Sequence, residues 1–141
     1  MIAAAHRLES VRAVSSICSP YEPRHVEHNY DALVDRILAD GEAPFMAGGK
    51  ALTLRRHFIE DVRAVDLHEQ IRTLKRALLV LHSPTDNTVG IANASQIFRA
   101  ARHPRSFVSL EGADHLLTER DQAKRAARII SAWADPYLAD D

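Results

Sequence analysis

The stretch from Leu78 to Leu117 constrains the fold of this chain more than its other parts. It begins with the apolar run Leu78-Leu79-Val80-Leu81 and contains a second strand-like segment over 106–110. Between them, residues 91–102 carry apolar side chains at the spacing of one helix face. Two strands joined by a helix run parallel, so their carboxyl ends lie at the same edge of the sheet. The pattern therefore predicts an α/β fold whose functional residues lie at that edge.

An acidic residue follows the first of these strands and a histidine follows the second: Asp86 and His115. In hydrolytic triads a carboxylate orients a histidine and stabilises its cation, while the histidine takes the proton of a nucleophile. The paired placement predicts catalytic roles for Asp86 as acid and His115 as base. Each residue also has a plainer interpretation, Asp86 as a turn former and His115 as a polar loop residue. Asp114 is an alternative acid, although neighbouring residues usually point apart.

The rest of the chain predicts about three parallel strands in all, since a short strand candidate covers 13–17. From Ala77 to Leu138 strands and helices alternate, and we expect 77–138 to be the core that bears the acid and the histidine. The last helix is predicted to begin near Thr118, with Asp121 completing an approximate capping box. At 141 residues the chain is expected to be one domain.

The segment 22–72 interrupts this alternation and is expected to be an insertion or lid over the sheet edge. Its spacing predicts a helix over 23–39, closed by Gly41. A β-hairpin with a tight turn at Gly48-Gly49 follows, and then a short helix over 58–65.

Composition narrows the classes of function. A formal net charge of -1 gives no reason to expect a nucleic-acid or membrane partner. One cysteine, Cys18, permits no internal disulfide and suits a reducing compartment, so a cytoplasmic location is expected. The sequence has no apolar run long enough to span a membrane and no recognisable signal peptide. It has no glycine-rich phosphate loop, so no nucleotide cofactor is expected.

Two other groups of residues could carry chemistry. His25 and His28 are three apart on a predicted helix, but no further ligands at zinc-like spacing accompany them, so no metal site is expected. Cys18 and Ser19 follow the strand at 13–17 and are candidates for a substitute nucleophile. A catalytic cysteine needs a lowered pKa and a nearby base, and a small buried or loop cysteine is the favoured interpretation.

Two motifs resemble the α/β-hydrolase superfamily. Residues 79–89, LVLHSPTDNTV, resemble the acid-bearing strand end of these enzymes, roughly L-V-x-H-G-x-x-D-x-x-V, with Ser83 in place of the usual glycine. Residues 112–117, GADHLL, resemble the G-A-x-H-x-L segment that carries their histidine. The hairpin and residues 101–110 are similar to the bacterial members often fused to an OsmC-type domain. The likeness covers about 2–138 and implies a partial α/β-hydrolase fold with Asp86 and His115 in the triad.

In that family the nucleophile precedes the acid and the histidine, in a G-x-S-x-G turn. None of the five glycines flanks a serine at that spacing, and Ile2 to Leu8 resemble the helix that follows the turn. The resemblance implies the second half of a serine hydrolase acting on a small ester or peptide. An inactive remnant that binds or dimerises is the alternative. In either case we expect a homodimer, pairing with a complementing N-terminal segment, or poor solubility, because the strand at 13–17 would lie at a sheet edge.

Overall fold

The computed structural model describes residues 2–5, 7–47 and 49–139, and the chain divides into two compact units. Met1–Tyr21 and Leu67–Asp141 form the first unit, and Glu22–Asp66 forms the second. The elements are α1 (Ile2–Ala5), β1 (Ala13–Ile17), a 3-10 helix (Pro23–Asn29), α2 (Asp31–Asp40), β2 (Glu42–Ala47), β3 (Lys50–Arg55), α3 (Arg56–Ala64), α4 (Leu67–Arg72), β4 (Ala77–His82), α5 (Ala92–Ala100), β5 (Arg105–Ser109) and α6 (Arg120–Leu138).

The first unit contains a three-stranded parallel sheet in the order β1-β4-β5. All six residues of β4 are buried, as the uninterrupted apolar sequence of a central parallel strand requires. Ile17 at the end of β1 is aligned with Leu81, and Ser109 at the end of β5 is aligned with His82. The three strands therefore finish at the same edge, which confirms the predicted α/β architecture.

Two apolar clusters in this unit hold the helices against the sheet. In one, Ala94 and Ile97 of α5 pack with Leu78 and Val80. In the other, Ala126 of α6 packs with Leu79, Leu81, Leu110 and Ala113. Because successive side chains of β4 point to opposite faces, this strand supplies both clusters. The loops after β4 and β5 thus start from buried, well-anchored positions.

The second unit is built on an antiparallel hairpin, in which Ala47 of β2 is paired with Lys50 of β3. Gly49 has a φ of +77°, as a two-residue hairpin turn requires, while Gly48 lies outside the described residues. Buried residues of this unit, Tyr30, Ile37 and Ile59 among them, form its own apolar cluster.

The predicted single helix over 23–39 is wrong, because the segment forms a 3-10 helix and then α2. Tyr30 between them has a non-helical backbone (φ -144°) and buries its ring in edge-to-face contact with Phe45 and Phe58. The predicted closure at Gly41 is present: its φ is +92° and its N–H donates to the Ile37 carbonyl.

Two further boundaries differ from the sequence expectations. The expected insertion ran to residue 72, but α4 belongs to the first unit, which contains the parallel sheet and is called the sheet unit below. There Leu67 and Ile71 join the apolar cluster that contains Ala94 and Ile97, the α5 cluster. The predicted capping box of Thr118 and Asp121 is wrong, since α6 begins at Arg120 with no side-chain cap at Glu119. The number of domains stays a prediction. None of the described helices is long and apolar enough to cross a membrane.

Candidate active site

Asp86 lies in the turn that follows β4, and its carboxylate organises that turn. Its Oδ1 atom accepts hydrogen bonds from the N–H groups of Thr88, at 2.8 Å, and Val89, at 2.9 Å. The Asp86 side chain is fully buried. These two bonds fix the carboxylate plane and leave Oδ2 directed away from the turn backbone.

His115 lies in the loop between β5 and α6, and Asp114 shapes this loop. The Asp114 carboxylate accepts hydrogen bonds from the Leu116 N–H at 2.8 Å and from the Thr118 hydroxyl at 2.6 Å. Hydrogen bonds from Thr118 and from the local backbone lower the pKa of Asp114. The Asp114 carboxylate therefore makes its hydrogen bonds within its own loop. The hydrogen-bond partner of the His115 ring is Asp86 and not Asp114.

The two predicted residues meet directly: His115 Nδ1 lies 2.8 Å from Asp86 Oδ2. Burial by itself raises the pKa of Asp86, but hydrogen bonds from the Val89 N–H, His115 and the Thr88 N–H outweigh burial and hold the pKa at about 2. The carboxylate is therefore ionised at neutral pH and can only accept, so Nδ1 of His115 carries the shared proton. The His115 side chain is 28% exposed, so its ring is partly open to solvent.

Two buried side chains, His82 and Cys18, lie next to the carboxylate of Asp86. His82, fully buried at the end of β4, donates from Nε2 to the Val89 carbonyl at 2.7 Å, which closes the Asp86 turn. Cys18 at the end of β1 is 2% exposed and has a left-handed backbone (φ +47°). Potential ligand atoms of Cys18, His82 and Asp86 lie within 4.8 Å of one another. The Asp86 oxygens and the His82 Nε2 have hydrogen-bond partners, whereas the buried His82 Nδ1 has none among the described residues.

Comparison with solved structures places this geometry in a known fold. The esterase domain from Rhodothermus marinus is 42% identical, with a TM-score of 0.81 over 98% of this chain and 57% of that one. Est1E from Butyrivibrio proteoclasticus has a TM-score of 0.66 at 12% identity, covering 99% and 56%. The mouse alpha/beta hydrolase domain-containing protein 10 has a TM-score of 0.65 at 18% identity, covering 95% and 56%. The chain has a partial α/β-hydrolase fold.

The resemblance to the α/β-hydrolase superfamily expected from the two motifs is therefore confirmed at the level of fold. The chain spans less than three fifths of the length of each of these three structures. No protein-family model and no curated protein matches the sequence. The likeness to the OsmC-fused members stays a prediction.

The other candidates from the sequence are the two histidines of the 3-10 helix, Cys18 and Ser19. The imidazole of His28 hydrogen-bonds to the carbonyl of His25 on the 3-10 helix, and neither belongs to the cluster of potential metal ligands in the described part of the chain. Cys18 does lie beside Asp86, but burial and the nearby carboxylate raise the pKa of its thiol. A buried, neutral thiol is a poor nucleophile. Ser19 donates from its hydroxyl to the Ile17 carbonyl.

Three polar side chains at this site were not singled out as functional from the sequence: His82, Ser83 and Gln122. The Ser83 hydroxyl donates to the Ala113 carbonyl at 2.6 Å. Gln122 of α6 donates from Nε2 to the Gly112 carbonyl at 2.7 Å and accepts from the Asp114 N–H at 3.3 Å. Ser83 had one signal in the sequence, its departure from the glycine of the α/β-hydrolase pattern.

Proposed function

We propose that Asp86 and His115 are the acid and the general base of a serine-type hydrolase that cleaves small esters or peptides. The observation that carries the proposal is the 2.8 Å contact between an ionised, fully buried carboxylate and a partly exposed imidazole. The esterase domain from Rhodothermus marinus, 42% identical, supports the ester as substrate class. The site offers what a triad needs from two of its members: an ionised acid bonded to Nδ1 and an imidazole that is partly open to solvent.

In this proposal Nε2 of His115 takes the proton of a hydroxyl nucleophile while the hydroxyl oxygen bonds to the carbonyl carbon of the substrate. The carbonyl electron pair moves to oxygen and returns as the bond to the leaving group breaks. His115 then gives the proton to the departing alcohol or amine, and water repeats the sequence to release the acid. Asp86 stays ionised and stabilises the imidazolium. The sequence contains no G-x-S-x-G, so the nucleophile is proposed to come from a segment outside these 141 residues.

A chimera tests these roles. This chain is fused to the part of the Rhodothermus marinus esterase domain that it does not cover. Hydrolysis of p-nitrophenyl acetate by the chimera is then measured. We expect activity that falls by roughly 10⁴-fold in kcat in Asp86→Asn and by roughly 10⁶-fold in His115→Ala, the losses typical of a triad without its acid or its base. Asp121→Asn, at a 97% exposed carboxylate, and His103→Ala, at an exposed histidine, are matched controls that should retain activity.

Two outcomes would contradict the proposal. One is a folded chimera without esterase activity. The other is a chimera whose activity is retained in Asp86→Asn and also in His115→Ala. Circular dichroism of each variant separates loss of chemistry from loss of fold.

A second candidate is an interaction module without turnover, and the position of β1 supports it. In the described residues β1 pairs with β4 along one side and with no strand along the other. Ile17 on this strand is 36% exposed. Such an edge can pair with another strand, from a second copy or from a complementing segment. A folded, inactive chimera together with a stable dimer of the chain would favour this candidate.

A further inference from the structure

Ser83 occupies the junction between the turn that bears Asp86 and the loop that bears His115. It follows β4 directly, and its side chain is fully buried. Its hydroxyl donates to the Ala113 carbonyl, two residues before His115, at 2.6 Å, and accepts from the Thr85 N–H, one residue before Asp86, at 3.3 Å. One side-chain oxygen therefore contacts the backbone of both segments close to the reacting pair.

Two other side chains hold one segment each. His82 closes the acid turn through the Val89 carbonyl, and Gln122 holds the histidine loop at Gly112 and Asp114. The hydroxyl of Ser83 differs from these two side chains because its hydrogen-bond partners, the Ala113 carbonyl and the Thr85 N–H, lie on different segments. The Ala113 carbonyl is a buried acceptor in a residue that is 6% exposed, so loss of the hydroxyl removes a bond that water does not readily replace.

We infer that Ser83 is a positioning residue, which couples the acid turn to the histidine loop and so sets the distance between Asp86 and His115. The inference rests on the proposed function, because positioning matters only if the pair acts as acid and base. The backbone partners of the Ser83 hydroxyl are the Ala113 carbonyl and the Thr85 N–H, so Ser83 acts through the backbone of these two residues. Small changes in the separation of catalytic groups have large effects, because a shared hydrogen bond weakens steeply with distance and angle.

The test uses the chain as it is, labelled with ¹⁵N, and reads the imidazole of His115 by NMR. In the unsubstituted chain we expect the Nδ1–H tautomer, with a proton signal at low field from the hydrogen bond to Asp86. In Ser83→Ala we expect the ¹⁵N shifts of both ring nitrogens to move toward those of a free imidazole and the Nδ1 proton to exchange with solvent about tenfold faster. Ser83→Thr, which keeps a hydroxyl, should restore much of the original signal.

Ser16→Ala is the matched control. Ser16 is a buried serine of β1, 7% exposed, whose hydroxyl has no hydrogen-bond partner among the described residues. Its removal should leave the His115 signals unchanged. If Ser83→Ala does not fold, Ser83→Cys replaces it, because a thiol of similar shape is a much weaker donor.

The outcomes separate the inference from the proposed function. A His115 signal that is unchanged in a folded Ser83→Ala or Ser83→Cys variant overturns the positioning role alone. An unsubstituted chain without the Nδ1–H signal overturns the pairing itself, and with it both the proposed function and the inference. A loss of signal in Ser16→Ala equal to that in Ser83→Ala also overturns the inference, because a general response of the sheet would then explain it.

Discussion

Asp86 is the residue on which the candidate site depends, because its carboxylate holds the turn and also bonds to His115, its partner in the proposed function. Oδ1 binds the turn through the N–H groups of Thr88 and Val89, and Oδ2 binds His115. This division explains why the acid must be ionised in the folded state: a protonated carboxyl would lose part of its capacity to accept these bonds. The proposed function and local stability are therefore coupled at one side chain.

The first residue-scale prediction concerns stability at acid pH. The pKa of Asp86 is about 2 in the fold, below the ordinary value of 3.8. The carboxylate therefore stabilises the fold above about pH 4, by about 2 kcal/mol, and this stabilisation is lost as the pH falls toward 2. Urea unfolding of the chain and of Asp86→Asn should show a difference in the free energy of unfolding that is largest near pH 7 and shrinks below pH 4.

Ile97→Val serves as the control for this experiment. Ile97 is a buried residue of the α5 cluster, 1% exposed, and its truncation should cost about 0.5–1.5 kcal/mol. Its substitution removes no titrating group, so its difference from the unsubstituted chain should stay constant over the same pH range. A difference for Asp86→Asn that is equally constant would show that the carboxylate has no depressed pKa in the fold.

At the scale of elements, the loop that bears His115 is held from α6 as well as from β4. Gln122, in the first turn of α6, bridges the Gly112 carbonyl and the Asp114 N–H. Leu117 in the same loop has a left-handed backbone, with φ of +52°. Because such a conformation costs free energy in a non-glycine residue, the contacts around it are needed to maintain the loop. The position of His115 thus depends on where α6 begins.

We predict that Gln122→Ala loosens this loop without unfolding the sheet unit. Amide exchange at Asp114 should become about tenfold faster, because its N–H loses a side-chain acceptor. Lys124→Ala in the same helix is the control, since Lys124 makes a solvent-exposed ion pair with Asp121 at 3.7 Å, which contributes little. Hydrogen exchange followed by NMR measures both variants. Equal rates at Asp114 in Gln122→Ala and Lys124→Ala would contradict the role assigned to Gln122.

These elements also show what the sequence could and could not predict. The central strand and the placement of Asp86 and His115 at one edge follow from apolar periodicity and the geometry of parallel strands. The bridging roles of Ser83 and Gln122 could not be predicted in this way, since their main partners are backbone carbonyls of a loop. The break at Tyr30 was missed because a ring packing on Phe45 and Phe58 overrides helical spacing. The left-handed backbone that brings Cys18 to the acid has no sequence signal either.

At the scale of the whole molecule, the sheet of the partial α/β-hydrolase fold has two terminal strands among the described residues, β1 and β5, and β1 is the one that bears the exposed Ile17. Strand β4 is central and β5 covers its other side, so β1 is a terminal strand among the described residues. The N–H of Cys18 donates to the Leu81 carbonyl at 3.0 Å. Because N–H directions alternate along a strand, the N–H groups of Ser15 and Ile17 point away from β4. They are available to pair with a further strand.

We therefore predict that the chain associates through β1. In the absence of a complementing segment, it should form a homodimer. Light scattering after size exclusion at micromolar concentration should give about twice the chain mass of 15.7 kDa. Ser15→Pro removes an outward N–H without breaking the bonds to β4, and Ile17→Lys places a charge on the edge, so both should give monomers. Leu138→Lys, at a 66% exposed leucine of α6, controls for the loss of any exposed apolar side chain and should remain dimeric. A compact monomer of the unsubstituted chain, or a dimer that persists in Ser15→Pro and Ile17→Lys, would exclude β1 as the interface.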